Sequence, residues 1–201
     1  NIMNGGCHAN NSIDIQEFMI IPSNKFNFKD GLMKSVEVYT NLKSLLKEKG
    51  LSVSVGDEGG FAPNLKTSEE VLDLIILSIE RAGLIYLDDM SIALDCAASE
   101  LFSEDSYKFT GENKKFSSDE MVFYMQALVD KYGIKSVEDP FDERDWDAWK
   151  TFTKNNNDLQ IVGDDIFVTQ EKILRKGIES KVANSILVKL NQVGTLSETM
   201  Q

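Results

Sequence analysis

The chain has 201 residues, 42% hydrophobic and 27% charged, which fits one large folded domain or part of a bigger one and excludes a disordered tail. With 21 Lys and Arg against 33 Asp and Glu the net charge is -12, which excludes broad attraction to nucleic acid or an anionic membrane, so an anionic ligand needs a local cation. No apolar run approaches the roughly 18–20 residues of a membrane-spanning helix, since Leu74-Ile75-Ile76-Leu77 is interrupted at once by Ser78 and Glu80, and the chain reads as soluble.

In chain order, the first notable segment is Asn4-Gly5-Gly6-Cys7-His8-Ala9-Asn10-Asn11, which contains the only histidine. A lone histidine is more often structural than functional. Asp14 to Pro22 reads as a strand whose apolar run is broken by Glu17, which either faces water on an edge or points into a polar site. Leu32, Val36, Tyr39, Leu42 and Leu46 recur at helical spacing, with Gly50 following as a helix end. The segment Val55 to Asn64 sets Asp57 and Glu58 among three glycines and a proline, a composition for a fixed irregular loop. Its acids either face water in an ordinary turn or are presented to a ligand. Neither the dinucleotide fingerprint nor the P-loop lysine pattern is present.

A second helix is predicted from about Thr67, paired with Glu70 as a capping box, to Gly83. A third opens with Ser117 and Glu120 in the same relation and ends near Gly133, and shorter helices follow Asp145 and Thr169. Between them lie apolar runs that each end in a charge: Ile92-Ala93-Leu94 before Asp95, Ile134 to Val137 before Glu138, Ile161-Val162-Gly163 before Asp164, and Ile186-Leu187-Val188 before Lys189. They read as buried parallel strands, and their alternation with helices suits an α/β barrel or doubly wound sheet. The polar stretch Ser103 to Lys115 reads as a small excursion between a strand and its helix.

Asp95, Glu138, Asp164 and Lys189 therefore stand at the C-terminal ends of predicted parallel strands, the catalytic face of a barrel. Three carboxylates converging there repel one another unless a hard cation neutralises them, and oxygen-only ligands suit Mg²⁺ better than zinc or copper. A lysine of depressed pKa beside such a cluster suggests proton abstraction next to a carboxylate. In the pairs Glu138-Asp139 and Asp164-Asp165, periodicity does not choose the ligand. Cys7 and Cys96 are far apart without zinc-type spacing and read as free thiols in a reducing cytoplasm. Neither Asn1 nor Gln201 reads as a natural terminus, so a piece of a longer protein is expected.

Seven segments in order make the chain resemble the enolase family along essentially its whole length. They are Asn4-Gly5-Gly6 with His8, Gln16-Glu17-Phe18-Met19, Gly56 to Asn64, and Leu94 to Glu100. Ser136 to Pro140 with Asp145-Trp146, Gly163-Asp164-Asp165 with Val168-Thr169, and Val188 to Gly194 complete the set.

The resemblance implies an α/β fold, an incomplete enolase-type TIM barrel that opens strand-strand-helix-helix before strand-helix repeats. Residues 1–201 would then be part of the C-terminal catalytic barrel, with about six of its eight strands and neither the N-terminal domain nor the last part of the barrel. The implied activity is a lyase reaction of glycolysis and gluconeogenesis, the reversible Mg²⁺-dependent dehydration of 2-phosphoglycerate to phosphoenolpyruvate, by the full-length parent. The isolated piece is expected to be inactive and to fold poorly.

The resemblance also implies residue roles. Glu58 is the proton donor and Lys189 the proton acceptor, a lysine base beside Mg²⁺ being the arrangement known from sites of this superfamily. Asp95, Glu138 and Asp164 hold the metal, while His8, Glu17, Glu138 and Asp164 contact substrate. A cytoplasmic homodimer is implied for the whole protein, with contacts in parts outside this chain.

Overall fold

Side-chain caps start most of the helices of the computed structural model, which describes residues 1–201. The chain opens with the short strand β1 (Met3–Asn4), then β2 (Glu17–Pro22), and two helices, α1 (Phe28–Glu48) and α2 (Ser68–Arg81), before β3 (Met90–Asp95). A small excursion follows, β4 (Phe102–Ser103), β5 (Ser106–Phe109) and β6 (Lys114–Phe116), which form their own antiparallel sheet. Regular alternation then takes over with α3 (Ser118–Tyr132), β7 (Ser136–Glu138), α4 (Trp146–Asn155), β8 (Gln160–Gly163), α5 (Glu171–Ser180) and β9 (Ser185–Ile186). The short helices α6 (Leu190–Val193) and α7 (Leu196–Met200) close the chain. This is the strand-strand-helix-helix opening and subsequent alternation that the family resemblance implies.

The Ser117 capping box is complete, with Glu120 N–H donating to Ser117 Oγ and Ser117 N–H to the Glu120 carboxylate. Thr67 caps α2 through Glu70 N–H, but the Glu70 carboxylate accepts from Lys66 N–H, one residue earlier than a capping box requires. Asp145 caps α4 by accepting from Ala148 N–H.

The main sheet has six strands in the order β1-β2-β3-β7-β8-β9. The pairs β1 with β2 and β2 with β3 are antiparallel, and the remaining three pairs are parallel. β1 and β9 each have one neighbour, so the sheet is an open arc of a barrel. Phe18, Ile92, Leu94, Val137 and Ile161 are fully buried along it, and Phe141 packs edge to face against Trp149 and Phe152 of α4.

Three expectations are corrected. The strand expected from Asp14 pairs only from Glu17, because Asp14 turns aside to accept hydrogen bonds from Gly111 and Glu112 N–H at 3.0 Å each, tying the excursion to the sheet. The last strand ends at Ile186 instead of Val188: it has a neighbour on one side only, and after Leu187 N–H reaches Gly163 O its pairing stops. The helical stripe of α1 is only half core. Leu42 and Leu46 are buried with Val38 and Leu45, whereas Leu32 and Val36 are exposed, together with Phe28 and Met33. Periodicity marks an apolar face but not whether anything covers it.

Candidate active site

Strand register brings the acids together. Glu17 on β2 pairs with Asp95 on β3, and Asp95 pairs with Glu138 on β7, so three carboxylates lie in a row across three strands. Because β2 runs antiparallel, its first residue meets the C-terminal ends of its parallel neighbours. Asp164 follows immediately after β8, and Lys189 two residues after the paired part of the chain beyond β9. All five line one cleft of about 570 Å³ with His8, Glu58, Gln16, Asp139 and Asp165. The sequence-predicted residues His8, Glu17, Glu58, Asp95, Glu138, Asp164 and Lys189 thus share one cavity.

Glu58 and His8 enter from loops that cross the strand ends. Asn4, fully buried, accepts from Gly60 N–H through Oδ1 at 2.9 Å, and Asp57 N–H donates to His8 O at 3.0 Å. These bonds require close backbone approach. A Cβ on Gly56 would stand 2.5 Å from His8 O, and one on Gly60 would stand 2.7 Å from Met3 N, so both positions need glycine. Asn11 adds a clasp, donating through Nδ2 to Asn4 O and Pro63 O. His8 Nδ1 lies 3.4 Å from Glu17 Oε1, which resolves Glu17 as a cleft residue, 15% exposed, and not a solvated edge.

The remaining acids are held in different ways. Asp95 accepts from Ala97 N–H at 3.0 Å and from Gln16 Nε2 at 3.1 Å. Asp139 is 3% exposed, has φ of 41°, and takes Asp164 N–H on one oxygen and Asp165 N–H on the other, at 3.1 and 2.8 Å. It therefore latches the turn after β8 to the end of β7. Asp164 accepts from Lys189 Nζ on one oxygen and from Gln192 Nε2, at 2.8 Å, on the other. Glu138 alone of these four accepts no hydrogen bond from the protein, which leaves its carboxylate free toward the cleft.

Crowding and burial oppose ionisation here. Burial, reinforced by Asp95, pushes Glu138 up to about 8. Burial, reinforced by Glu17, pushes Asp95 up to about 6, and burial also lifts Asp139 to about 7 against its two backbone donors. Glu17 is raised as well, by burial and by Glu58, with His8 opposing. In the absence of metal, the folded protein then holds protons that the unfolded chain releases, so stability is full below the unfolded values and is lost as pH rises through the folded ones. Melting temperature without divalent cations is expected to fall between pH 4.5, the ordinary glutamate value, and about 8. A rise across that window in differential scanning fluorimetry would contradict this electrostatic picture.

Lys189 departs from expectation. Burial alone would depress its pKa, but the Asp164 carboxylate it contacts, with Glu138 and Asp165 nearby, outweighs burial and holds it above the usual lysine value. The Lys189 backbone is held by Thr169, whose Oγ accepts from the Lys189 backbone N–H at 2.9 Å and donates to Gln192 Oε1 at 2.6 Å. Gln16, Thr169 and Gln192 carry no site signal in the sequence, where Asp139 stands only as the undecided alternative to Glu138. An acid beside an acid, or an amide after a strand, carries no spacing signal of its own.

The description "Enolase, C-terminal TIM barrel domain" belongs to a family model that matches residues 1–201. Among curated proteins, the chain is 52% identical over 202 residues to an "Enolase" of Legionella pneumophila strain Corby, covering all of this chain and 48% of that protein. It is 51% identical, with the same coverage, to the "Enolase" proteins of strains Paris and Philadelphia 1. The chain spans about half the length of the curated relatives it matches. No helix is long and apolar enough to cross a membrane. An open arc of strands, parallel from β3 to β9, with acids at its strand ends and Lys189 beyond the last strand, together with a family match along every residue, places this chain in the enolase C-terminal TIM barrel domain family.

Proposed function

We propose that the protein containing this chain dehydrates 2-phosphoglycerate to phosphoenolpyruvate, reversibly, as a lyase of glycolysis and gluconeogenesis. The observation that carries this reading is the meeting, in one cleft, of the strand-end carboxylates with Lys189 on one side and Glu17, Glu58 and His8 on the other.

Asp95, Glu138 and Asp164 are proposed to hold Mg²⁺. Their fit is supported by all-oxygen donors, by the raised proton affinity of Asp95 and Glu138 that a cation would relieve, and by Glu138 and Asp164 each offering an oxygen within 4.8 Å of the other. Asp139 belongs to the same close group, but both its oxygens already hold backbone N–H groups, which favours Glu138 as the ligand of that pair. When bound, Mg²⁺ supplies positive charge against which charge on the substrate carboxylate can develop.

Lys189 takes the proton from C2. For that it must be neutral, and its contact with Asp164 works against neutrality until that carboxylate is engaged elsewhere. Glu58 donates a proton to the C3 hydroxyl so that it leaves as water, and Glu17 and His8 hold that end of the substrate. Within the 201 residues, acids outnumber the single lysine in the cleft, so phosphate must be gripped by groups beyond it. That need, the open edges of the sheet and the half-length coverage of the relatives support reading residues 1–201 as part of a longer catalytic barrel.

A homodimer of the full-length protein is part of this proposal, with its contacts in parts outside this chain. A reducing, cytoplasmic setting is supported by two unpaired cysteines, Cys7 exposed and Cys96 buried. The test is turnover by the full-length protein: Mg²⁺-dependent phosphoenolpyruvate formation from 2-phosphoglycerate is expected. Failure there, with turnover of a sugar acid or amino acid instead, would reject the reaction while leaving the fold assignment intact.

A further inference from the structure

The excursion β4–β6 lines no part of the cleft, yet its contacts reach the chain on either side of the strands that carry the cleft's acids. We propose that it is a brace that sets the spacing of the carboxylates at the ends of β2, β3 and β7, with Asp14 and Tyr107 as its two positioning residues.

One anchor lies just before β2. Asp14 is 6% exposed and gives both carboxylate oxygens to the tip of the excursion, taking Gly111 N–H on Oδ1 and Glu112 N–H on Oδ2. Gln16, which follows closely, donates to Asp95, and Glu17 is the first residue of β2. The tip fits here only as glycine, since a Cβ on Gly111 would stand 1.8 Å from Ser12 O. Glu112 turns its side chain inward and accepts from Ser68 N–H and Ser68 Oγ at 2.7 Å each, which ties the tip to the first turn of α2 as well.

The other anchor lies just after β7. Tyr107 of β5 is fully buried, and its hydroxyl accepts from Asp142 N–H at 3.0 Å and donates to Asp145 at 2.8 Å. Asp142 stands shortly beyond Glu138, and Asp145 caps α4. Between the two anchors is Asp95, because β3 pairs with β2 on one side and with β7 on the other, and the chain enters the excursion soon after β3 ends. The excursion thereby closes a ring of contacts around three acid-bearing strand ends.

Such a ring has a physical task. Strand pairing runs out at the row formed by Glu17, Asp95 and Glu138, where crowded carboxylates repel one another. A tie beyond the paired residues keeps that repulsion from splaying the strand ends and setting the acids too far apart for one small ion. Asparagine at position 14 would offer one acceptor where two N–H groups need two, and phenylalanine at position 107 would leave Asp142 N–H without its partner, so each substitution frees one end of the brace. The inference rests on the proposed magnesium site only for its consequence in metal affinity.

The test uses the full-length protein with Asp14→Asn, Tyr107→Phe and both together. Tyr107→Phe keeps the ring against Phe102 and removes only the hydroxyl. Ile79→Ala, at a fully buried position near the end of α2, serves as a variant of lowered stability that leaves the brace untouched. In metal-free protein, hydrogen exchange at Ala97 N–H, which Asp95 accepts, should quicken by about tenfold relative to Leu94 of β3 in both single variants and not in Ile79→Ala. Mg²⁺ affinity, read by calorimetry, should fall by about tenfold in each single variant, as it does when groups that orient metal ligands are lost. Because either substitution frees the same brace, the double variant should bind little more weakly than the single ones. Unchanged Ala97 exchange in both single variants, an equal change in Ile79→Ala, or a double variant showing the product of the two single effects would overturn the proposal. A protein that binds no Mg²⁺ would reject the metal reading alone, since Ala97 exchange still decides whether the brace holds Asp95.

Discussion

Replacing Lys189 by alanine in the full-length protein is expected to lower exchange of the C2 proton of 2-phosphoglycerate with solvent by about 10²- to 10⁴-fold, the usual contribution of a positioned base. Mg²⁺ binding should survive. The Lys189 ammonium contacts Asp164, one of the proposed ligands, so its removal relieves a competitor for that carboxylate instead of removing a metal donor. Exchange measured by deuterium incorporation isolates this step from loss of the hydroxyl. Wild-type exchange in the variant would remove Lys189 from the base role, whatever happened to overall turnover.

Glu138→Gln is expected to have an effect of comparable size for a different reason. It deletes one negative charge from the carboxylate that has no hydrogen bond to the protein and projects freely into the cleft. Two unit charges about 4 Å apart at an effective dielectric near 20 interact by about 4 kcal/mol, so Mg²⁺ affinity should fall by on the order of 10²- to 10³-fold, with activity following it. Saturating magnesium should recover part of that activity, which a damaged fold would not allow. Calorimetric titration of Mg²⁺ reads the effect directly. In the metal-free protein the same substitution should raise the melting temperature at pH 8, because it removes a carboxyl whose ionisation burial and Asp95 oppose.

The parts of this molecule readable from sequence are those governed by local rules. Ser117 with Glu120 and Asp145 before Trp146 announce helix starts through hydrogen bonds made within four residues. The apolar runs before Asp95, Glu138 and Asp164 announce buried parallel strands because both faces of each strand must be covered. Once those strands are aligned, the meeting of their terminal charges is a consequence of register.

What sequence could not supply depends on long-range contact. Leu32 and Val36 have the same spacing as Leu42 and Leu46, and only packing distinguishes the exposed pair from the buried one. β9 is short because pairing needs a neighbour, a property of the sheet and not of Ile186-Leu187-Val188. Glu138 and Asp139 look equivalent as letters. The turn at Asp139, with its φ of 41°, aims that side chain at the backbone of Asp164 and Asp165 and leaves Glu138 to the cleft. The raised pKa of Lys189 likewise follows from an Asp164 contact made across 25 residues, from the end of β8 to beyond β9, where a rule based on burial alone gives the opposite sign.

The proposed chemistry turns on one arrangement, in which Asp95, Glu138 and Asp164 together hold the divalent ion beside Lys189. Anomalous diffraction from crystals of the full-length protein with Mn²⁺ in place of Mg²⁺ tests it most directly. A peak is expected in coordination contact with a carboxylate oxygen of each of Asp95, Glu138 and Asp164, with Asp139 still bonded to the Asp164 and Asp165 N–H groups. A peak coordinated by Asp139 in place of Asp95, or no peak among these strand ends, would contradict it.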